Sequence, residues 1–182
     1  MMTRDEAFEL VKSSVSTANL IKHMLAVEAV MKKLAARLGE DEQTWTLAGL
    51  LHDLDYDSTA KDPARHGLLT VEMLSGKDLP PSVTCAIKCH AGHCQPESPM
   101  DRALLAADPL TGLIVAAALM HPTKKLRSVD TNFVMNRFRE KSFARGANRE
   151  QICGCDSLGL ELEEFVAIGL EAMTEIDAEL GL

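Results

Sequence analysis

The side chains of this 182-residue chain best suited to chemistry are its six histidines and a few aspartates set in apolar surroundings. His23 lies in NLIKHMLAVEAVM, on the same helical face as Val27, Val30 and Leu34, and therefore points inward. Taken alone, an inward histidine is more often a satisfied core residue than a ligand. His52 and Asp53 close an apolar run, LAGLLHDLDYD. Adjacent side chains diverge by about 100° in mid-helix, but at a helix end both can converge on one ion beyond the terminus. An imidazole and a carboxylate suit Mn, Fe, Zn, Ni or, less typically, Mg. The competing reading is a histidine on the helix dipole beside an aspartate that caps the next turn. Asp108 sits in RALLAADPLTGLIVAAALM, where an ionised carboxylate needs a cation or several donors. Few basic residues flank it, so metal ligation outweighs a structural ion pair. His66 in ARHG and His90 in IKCHAGH could complete a second metal site, with Asp53 as the bridge. His93 is the more doubtful neighbour, and His121, before Pro122, reads as structural.

Helices must position these residues. Apolar residues make up 46% of the chain and aromatics only 4%, with Ala, Leu and Met plentiful. This mix favours helices over strands, and no segment alternates with period two. A short helix is expected over 4–12 and a long one over 17–38, where Leu20, Val27, Val30, Met31, Leu34 and Leu38 recur at helical spacing before Gly39. A third runs from about Asp41 to Leu54. Asp62-Pro63 reads as a cap and first-turn proline of a helix ending near Gly76, which places His66 in its first turn. Pro80-Pro81 opens the helix of Val83, Ile87 and His90. Residues 100–120 form a strongly apolar helix with a bend expected at Pro109, and 130–145 a weaker amphipathic one. The last helix, about 160–180, carries a stripe of Leu162, Phe165, Val166, Gly169, Met173, Ile176 and Leu180, packed internally or against a second copy, so a homodimer is possible. The fold class is all-α. The length suits one domain, with a metal-binding core at about 20–120 and a C-terminal helical extension at about 121–182.

Taken in order, His23, His52-Asp53, His66, His90 and Asp108 resemble the ligand series of the HD superfamily of metal-dependent phosphohydrolases. His23 resembles the first ligand, His52-Asp53 the signature doublet and Asp108 the last ligand. His66 and His90 resemble the extra histidines of members that hold two metals. Farther on, DPLTGLIVAAAL, KKL, KSFARGANRE and LGLELEEFVAIGLEAM are similar to a small bacterial and archaeal branch of HD hydrolases with no established substrate. The resemblance implies an HD-domain-like helical bundle, one or two divalent ions (Mn, Fe, Ni, Zn or Mg), and catalysis centred on Asp53, His66 and His90. One departure is Leu54-Asp55 after the doublet, where the best-known members have Ile-Gly. Asp55 and Asp57 are thus extra carboxylates, either orienting ligands and moving protons or capping nearby helices.

The implied reaction is phosphoester hydrolysis of a phosphorylated small molecule, most often a nucleotide, by metal-activated water. Basic residues would hold the phosphate: Lys88, Lys124, Lys125, Lys141 and Arg145 are the candidates. Residues 121–150 hold eight Lys/Arg against three Asp/Glu, although the whole chain is formally −8. That acidic balance argues against general nucleic-acid or anionic-membrane binding, and the apolar run Leu110–Met120 is too short to cross a bilayer. Arg4, Asp5 and Glu6 argue against a signal peptide, and five cysteines suggest reduced thiols, so the expected location is cytoplasmic. Three alternatives stay open. One is a di-iron oxygenase of the same fold, and another a metal- or nucleotide-binding module without turnover. The third is a structural zinc site of Cys85, Cys89, Cys94 and His93, which lacks the usual CxxC knuckle.

Overall fold

A computed structural model describes residues 1–182. Every regular element is helical. Helix α1 (Arg4–Ser14) opens with a capping box in which Thr3 and Glu6 satisfy each other's backbone amides. Helix α2 (Ala18–Leu38) ends at a left-handed Gly39, and α3 (Glu42–Leu51) is capped by Asp41. Three short elements follow: α4 (Tyr56–Thr59), α5 (Leu68–Met73) and α6 (Pro81–His90). Helix α7 (Pro99–Met120) has a second capping box, Ser98 with Asp101, and runs unbroken through Pro109. Beyond it come α8 (Thr131–Arg139), α9 (Arg149–Cys153), α10 (Leu162–Glu175) and α11 (Asp177–Leu180).

Helix α7 is the axis of the bundle. It packs against α2, α6, α8, α9 and α10, while α3 lies along α2. Met24, Met31, Leu34, Leu47, Leu50, Ile87, Leu104, Leu110 and Phe165 fill one continuous core with side chains wholly out of solvent. At 22 residues, α7 is long and apolar enough to cross a membrane, contrary to the reading of a run too short to do so. Its burial by five other helices explains the same composition: a helix apolar all round can be the centre of a core. Gly49 lets α2 and α3 approach closely, because a Cβ there would stand 2.9 Å from backbone atoms of Val27 and Glu28.

Several element boundaries depart from expectation. Helix α3 stops at Leu51, with His52 as its C-cap, so the His52-Asp53 pair sits in the turn after the helix. Asp62-Pro63 opens no helix. The chain turns through residues 62–67, and α5 starts only after Gly67, so His66 precedes the helix instead of lying in its first turn. The amphipathic segment stops at Arg139, leaving 140–148 as a loop that Arg149 ties down through the carbonyl oxygens of Phe138, Phe143, Ala144 and Ala147. The last helix breaks at Ile176, beside the point where Asp177 pairs with Arg127. Its apolar stripe faces inward, with Phe165, Val166, Gly169, Leu170 and Met173 buried against the bundle.

Candidate metal centre

Four histidines from four parts of the fold direct the same ring nitrogen into one space. In each case the other nitrogen is already engaged. His52, at the end of α3, gives its Nδ1 proton to the Gly49 carbonyl at 2.8 Å. His90, the last residue of α6, gives its own to the Ile87 carbonyl at 2.5 Å. His66 is held at Nδ1 by an Asp55 carboxylate oxygen at 2.9 Å. His23, in the second turn of α2, meets the Thr111 hydroxyl of α7 at 3.2 Å, and that hydroxyl donates to the Asp108 carbonyl. With Nδ1 protonated, each Nε2 carries a free lone pair, the state an imidazole needs to bind a metal.

Asp53 stands between them, and its two oxygens face different pairs. Oδ2 lies 3.4 Å from His52 Nε2 and 3.7 Å from His23 Nε2. Oδ1 lies 3.4 Å from His66 Nε2 and 3.5 Å from His90 Nε2. Asp108 Oδ1 is 3.0 Å from His23 Nε2, which in turn is 3.3 Å from His52 Nε2. Donor atoms bound about 2.1 Å from one ion stand roughly 3–3.5 Å apart, so this spacing suits a cation. His90 Nε2 makes the same point: it is buried without any hydrogen-bond partner, a costly state unless something fills the gap. The centre has a floor and a mouth. The His52 and His90 side chains are closed off, at 0% and 2% exposure, whereas His23 and Asp108 are open at 26% and 36%.

The electrostatics are those of a site that wants positive charge. Burial works against a charged His52, but the Asp53 and Asp108 carboxylates outweigh it and its pKa is raised to about 9. Burial likewise works against ionised Asp53, yet His52 above all, with His90, holds it well below the ordinary carboxylate range. Asp108 is lowered by His23 against the effect of burial. Without a metal, protons take up the role of the cation.

The HD domain family matches residues 20–118, the stretch that contains all six of these side chains. The chain belongs to the HD domain family. This family consists mainly of metal-dependent hydrolases, and the His/Asp cluster could hold a divalent metal. Among curated relatives, Ribonuclease Y of Sulfurovum sp. (strain NBC37-1) is 29% identical over 161 residues, 87% of this chain and 32% of that protein. Ribonuclease Y of Acholeplasma laidlawii (strain PG-8A) is 36% identical over 93 residues, 51% of this chain and 18% of that protein. Ribonuclease Y of Bacillus thuringiensis (strain Al Hakam) is 31% identical over 135 residues, 72% of this chain and 26% of that protein. The chain thus spans a third or less of these relatives. No solved structure matches it.

The extra carboxylates after the HD doublet divide the roles open to them. Asp55 is fully buried. It orients His66 and also accepts the amides of Gly67 and Thr70, thereby capping α5. Burial raises its pKa, but the hydrogen bonds from His66 and Thr70 leave it lowered overall. Gly67 is required here by its φ of +76° and by Ala91, whose Cβ would be 2.6 Å from an added one. Asp57 instead ties down the two residues that precede α2, accepting from the amides and hydroxyls of Ser16 and Thr17. Thr111 and the Gly49 carbonyl were missed from the sequence. The signal for Thr111 was a hydroxyl three residues beyond Asp108 in an otherwise apolar helix.

None of Lys88, Lys124, Lys125, Lys141 and Arg145 makes an ion pair with the HD cluster. Lys88 is two residues from His90 on α6 and so projects from a different face. Lys124 and Lys125 follow the end of α7 at Met120, about 18 Å along the axis from Asp108 at 1.5 Å per residue. Lys141 and Arg145 are exposed on the 140–148 loop. The three cysteines of the alternative zinc site lie together, but not as four free ligands with His93. Cys89 and Cys94 are joined as a disulfide, and His93 Nε2 is taken by the His66 carbonyl at 2.7 Å.

Proposed function

We propose that this HD domain is a metal-dependent phosphohydrolase holding two divalent ions and cleaving a phosphoester in a phosphorylated small molecule of the nucleotide class. The observation that carries the reading is the division of Asp53: one carboxylate oxygen faces His23 and His52, the other His66 and His90. His23, His52, Asp53 and Asp108 would hold the first ion, and His66, His90 and the second oxygen of Asp53 the other. A divalent ion there would acidify a bound water to near neutrality and offset charge on the phosphoryl group.

The protein's own share is positional. Asp55, Thr111 and the Gly49 and Ile87 carbonyls hold each imidazole in the tautomer that leaves Nε2 unprotonated. The closed floor at His52 and His90 excludes water, and the open side at His23 and Asp108 admits the phosphate. Lys141 and Arg145 are the proposed phosphate contacts. Their loop leads into α9, which packs on α7; the groove beside α9 is lined by Arg102, Leu105, Asn148, Glu150 and Gln151 and by neither of these two side chains.

A second reading takes an oligoribonucleotide as substrate. The names of the relatives favour it; the net charge of −8 favours the small molecule. The test is phosphate or nucleotide release by the protein loaded with Mn²⁺ or Fe²⁺. The panel comprises phosphomonoesters, cyclic nucleotides, nucleoside triphosphates and a labelled oligoribonucleotide. Turnover of mononucleotides with an intact oligomer supports the first reading, and shortening of the oligomer alone supports the second. Binding without release across the panel, or oxygen consumption by the iron form, overturns both.

A further inference from the structure

Outside the metal centre, the one cluster of reactive side chains is a group of three cysteines on and after α6. Their sulfur atoms all lie within 4.8 Å of one another. Cys89 and Cys94 form the bond, with Cα atoms 4.7 Å apart, because the chain doubles back directly after α6. Cys85 is free and exposed, one helical turn before Cys89. Cys89 is buried, so it is sheltered from small oxidants, while Cys85 is open to them.

We propose that Cys85, Cys89 and Cys94 form a thiol–disulfide exchange site whose closed state fixes the turn bearing His90 and His93. The closed loop contains only His90, Ala91, Gly92 and His93 between its two cysteines. His90 points into the metal centre from one side of that loop. His93 donates to the His66 carbonyl from the other. Both histidines that face Asp53 Oδ1 are therefore tied to the state of this one bond. This coupling rests on the metal-site reading above; the exchange chemistry does not.

The steps balance with a low-molecular-weight disulfide, RSSR, as oxidant. The exposed Cys85 sulfur attacks RSSR: a Cys85–SR bond forms, the S–S bond of RSSR breaks, and RS⁻ leaves and takes up the proton released by Cys85. Cys94 then attacks the Cys85 sulfur and expels the second RS⁻, which takes the Cys94 proton. Cys89 attacks the Cys94 sulfur, leaving the Cys89–Cys94 bond, while the proton lost by Cys89 returns to Cys85. In sum, two protein thiols and RSSR become one protein disulfide and two RSH. Excess RSH runs the sequence backwards.

The test uses the full chain, with and without Mn²⁺, equilibrated in mixtures of reduced and oxidised glutathione. Free thiols are blocked with iodoacetamide. The disulfides are then reduced, labelled with N-ethylmaleimide and located by mass spectrometry. Cys89 and Cys94 should acquire the second label together while Cys85 takes the first, and a glutathione adduct should be trapped on Cys85 early in the reaction. Cys85→Ser should close the loop roughly tenfold more slowly, reach the same final fraction closed, and leave phosphate release unchanged. Opening the loop, by reduction or by Cys94→Ser, should weaken the second Mn²⁺ about 10–100-fold, the range for lost outer support, and speed amide exchange at 90–95.

Independent labelling of Cys89 and Cys94 at every glutathione ratio overturns the exchange site. So does protection of all three thiols that a chelator reverses, which marks a metal–thiolate site instead. An unchanged second Mn²⁺ affinity and unchanged amide exchange after opening overturn the coupling. A protein that lacks phosphohydrolase activity but still closes the loop leaves the exchange site standing and removes only the function proposed for the metal centre.

Discussion

At the residue scale, the centre rests on imidazoles whose far nitrogens are fixed and a carboxylate that looks two ways. Replacing Asp53 with Asn removes one of the shared oxygens and the negative charge that stands between the four histidines. The expected result is loss of both ions and of phosphate release by more than about 100-fold, beyond the usual range for outer-shell partners; elemental analysis and kcat/KM check it. His90→Gln should behave differently: one ion is retained and one lost, because His23, His52 and Asp108 do not depend on it. Loss of both ions on that change would argue against two separable sites. Protonation supplies a further check. His52 is raised to about 9 in the metal-free centre, so an incoming ion must displace its proton. Metal affinity should climb with pH up to about 9 and level off beyond it, with proton release measured by calorimetry in buffers of different ionisation enthalpy.

At the scale of elements, the ligands are only as well placed as the helices that carry them. His23 rides on α2 and His52 closes α3, and the separation of these two helices is set at Gly49. Gly49→Ala gains about 1 kcal/mol of helix propensity. It also pushes a Cβ into the α2 backbone at 2.9 Å, and such overpacking costs about 1–3 kcal/mol. A net loss of stability in urea unfolding, together with weaker metal binding, is expected. Asp57 anchors the start of α2, and its pKa is lowered from 3.8 to about 2 by the Thr17 and Ser16 hydrogen bonds. A depressed carboxylate contributes stability that is complete above its unfolded value and disappears as pH falls towards its folded one. The wild-type protein should therefore lose stability between about pH 4 and pH 2 more steeply than Asp57→Asn, which should be less stable than wild type at neutral pH but flatter across that window.

At the scale of the whole molecule, the centre links distant parts of the chain. The candidate ligands come from α2, the turn after α3, the segment before α5, the end of α6 and the middle of α7, and one hydrophobic core joins those elements. A metal that binds only the folded arrangement adds stability by mass action, about 2.7 kcal/mol at a hundred times its dissociation constant. For a chain of 182 residues that corresponds to a rise in Tm of roughly 5–10 °C, visible as the difference between Mn²⁺ and EDTA in thermal unfolding. No such rise would mean that the cluster holds no ion in solution. The groove between α2 and α10 is unconnected with this centre. In and beside it Arg4 pairs with Glu28, and Lys33 with Glu171 and Glu175.

The long helices were legible because their information is local. Apolar spacing in 18–38 and the apolar run of 100–120 announce themselves to any reader of the chain, and so does the order of histidines and aspartates that resembles an HD domain. The short elements were not. Residues 62–67 look like a helix start, but the Gly67 amide finds Asp55, twelve residues away, and Gly67 must turn left-handed beneath Ala91. The stripe at 160–180 reads as one helix, yet it breaks beside Asp177, which pairs with Arg127, fifty residues distant. Likewise, nothing in the spacing of Cys89 and Cys94 says that they meet.

Sequence by itself therefore determined the helical class, the candidate ligand types and the family. Only the tertiary structure decided which nitrogen each histidine offers, how Asp53 divides its oxygens, which basic residues lie away from the cluster, and which cysteines pair. The physical reason is that periodicity and residue chemistry are written along the chain, whereas tautomers, shared oxygens and thiol contacts depend on atoms that only packing brings within about 3 Å of one another.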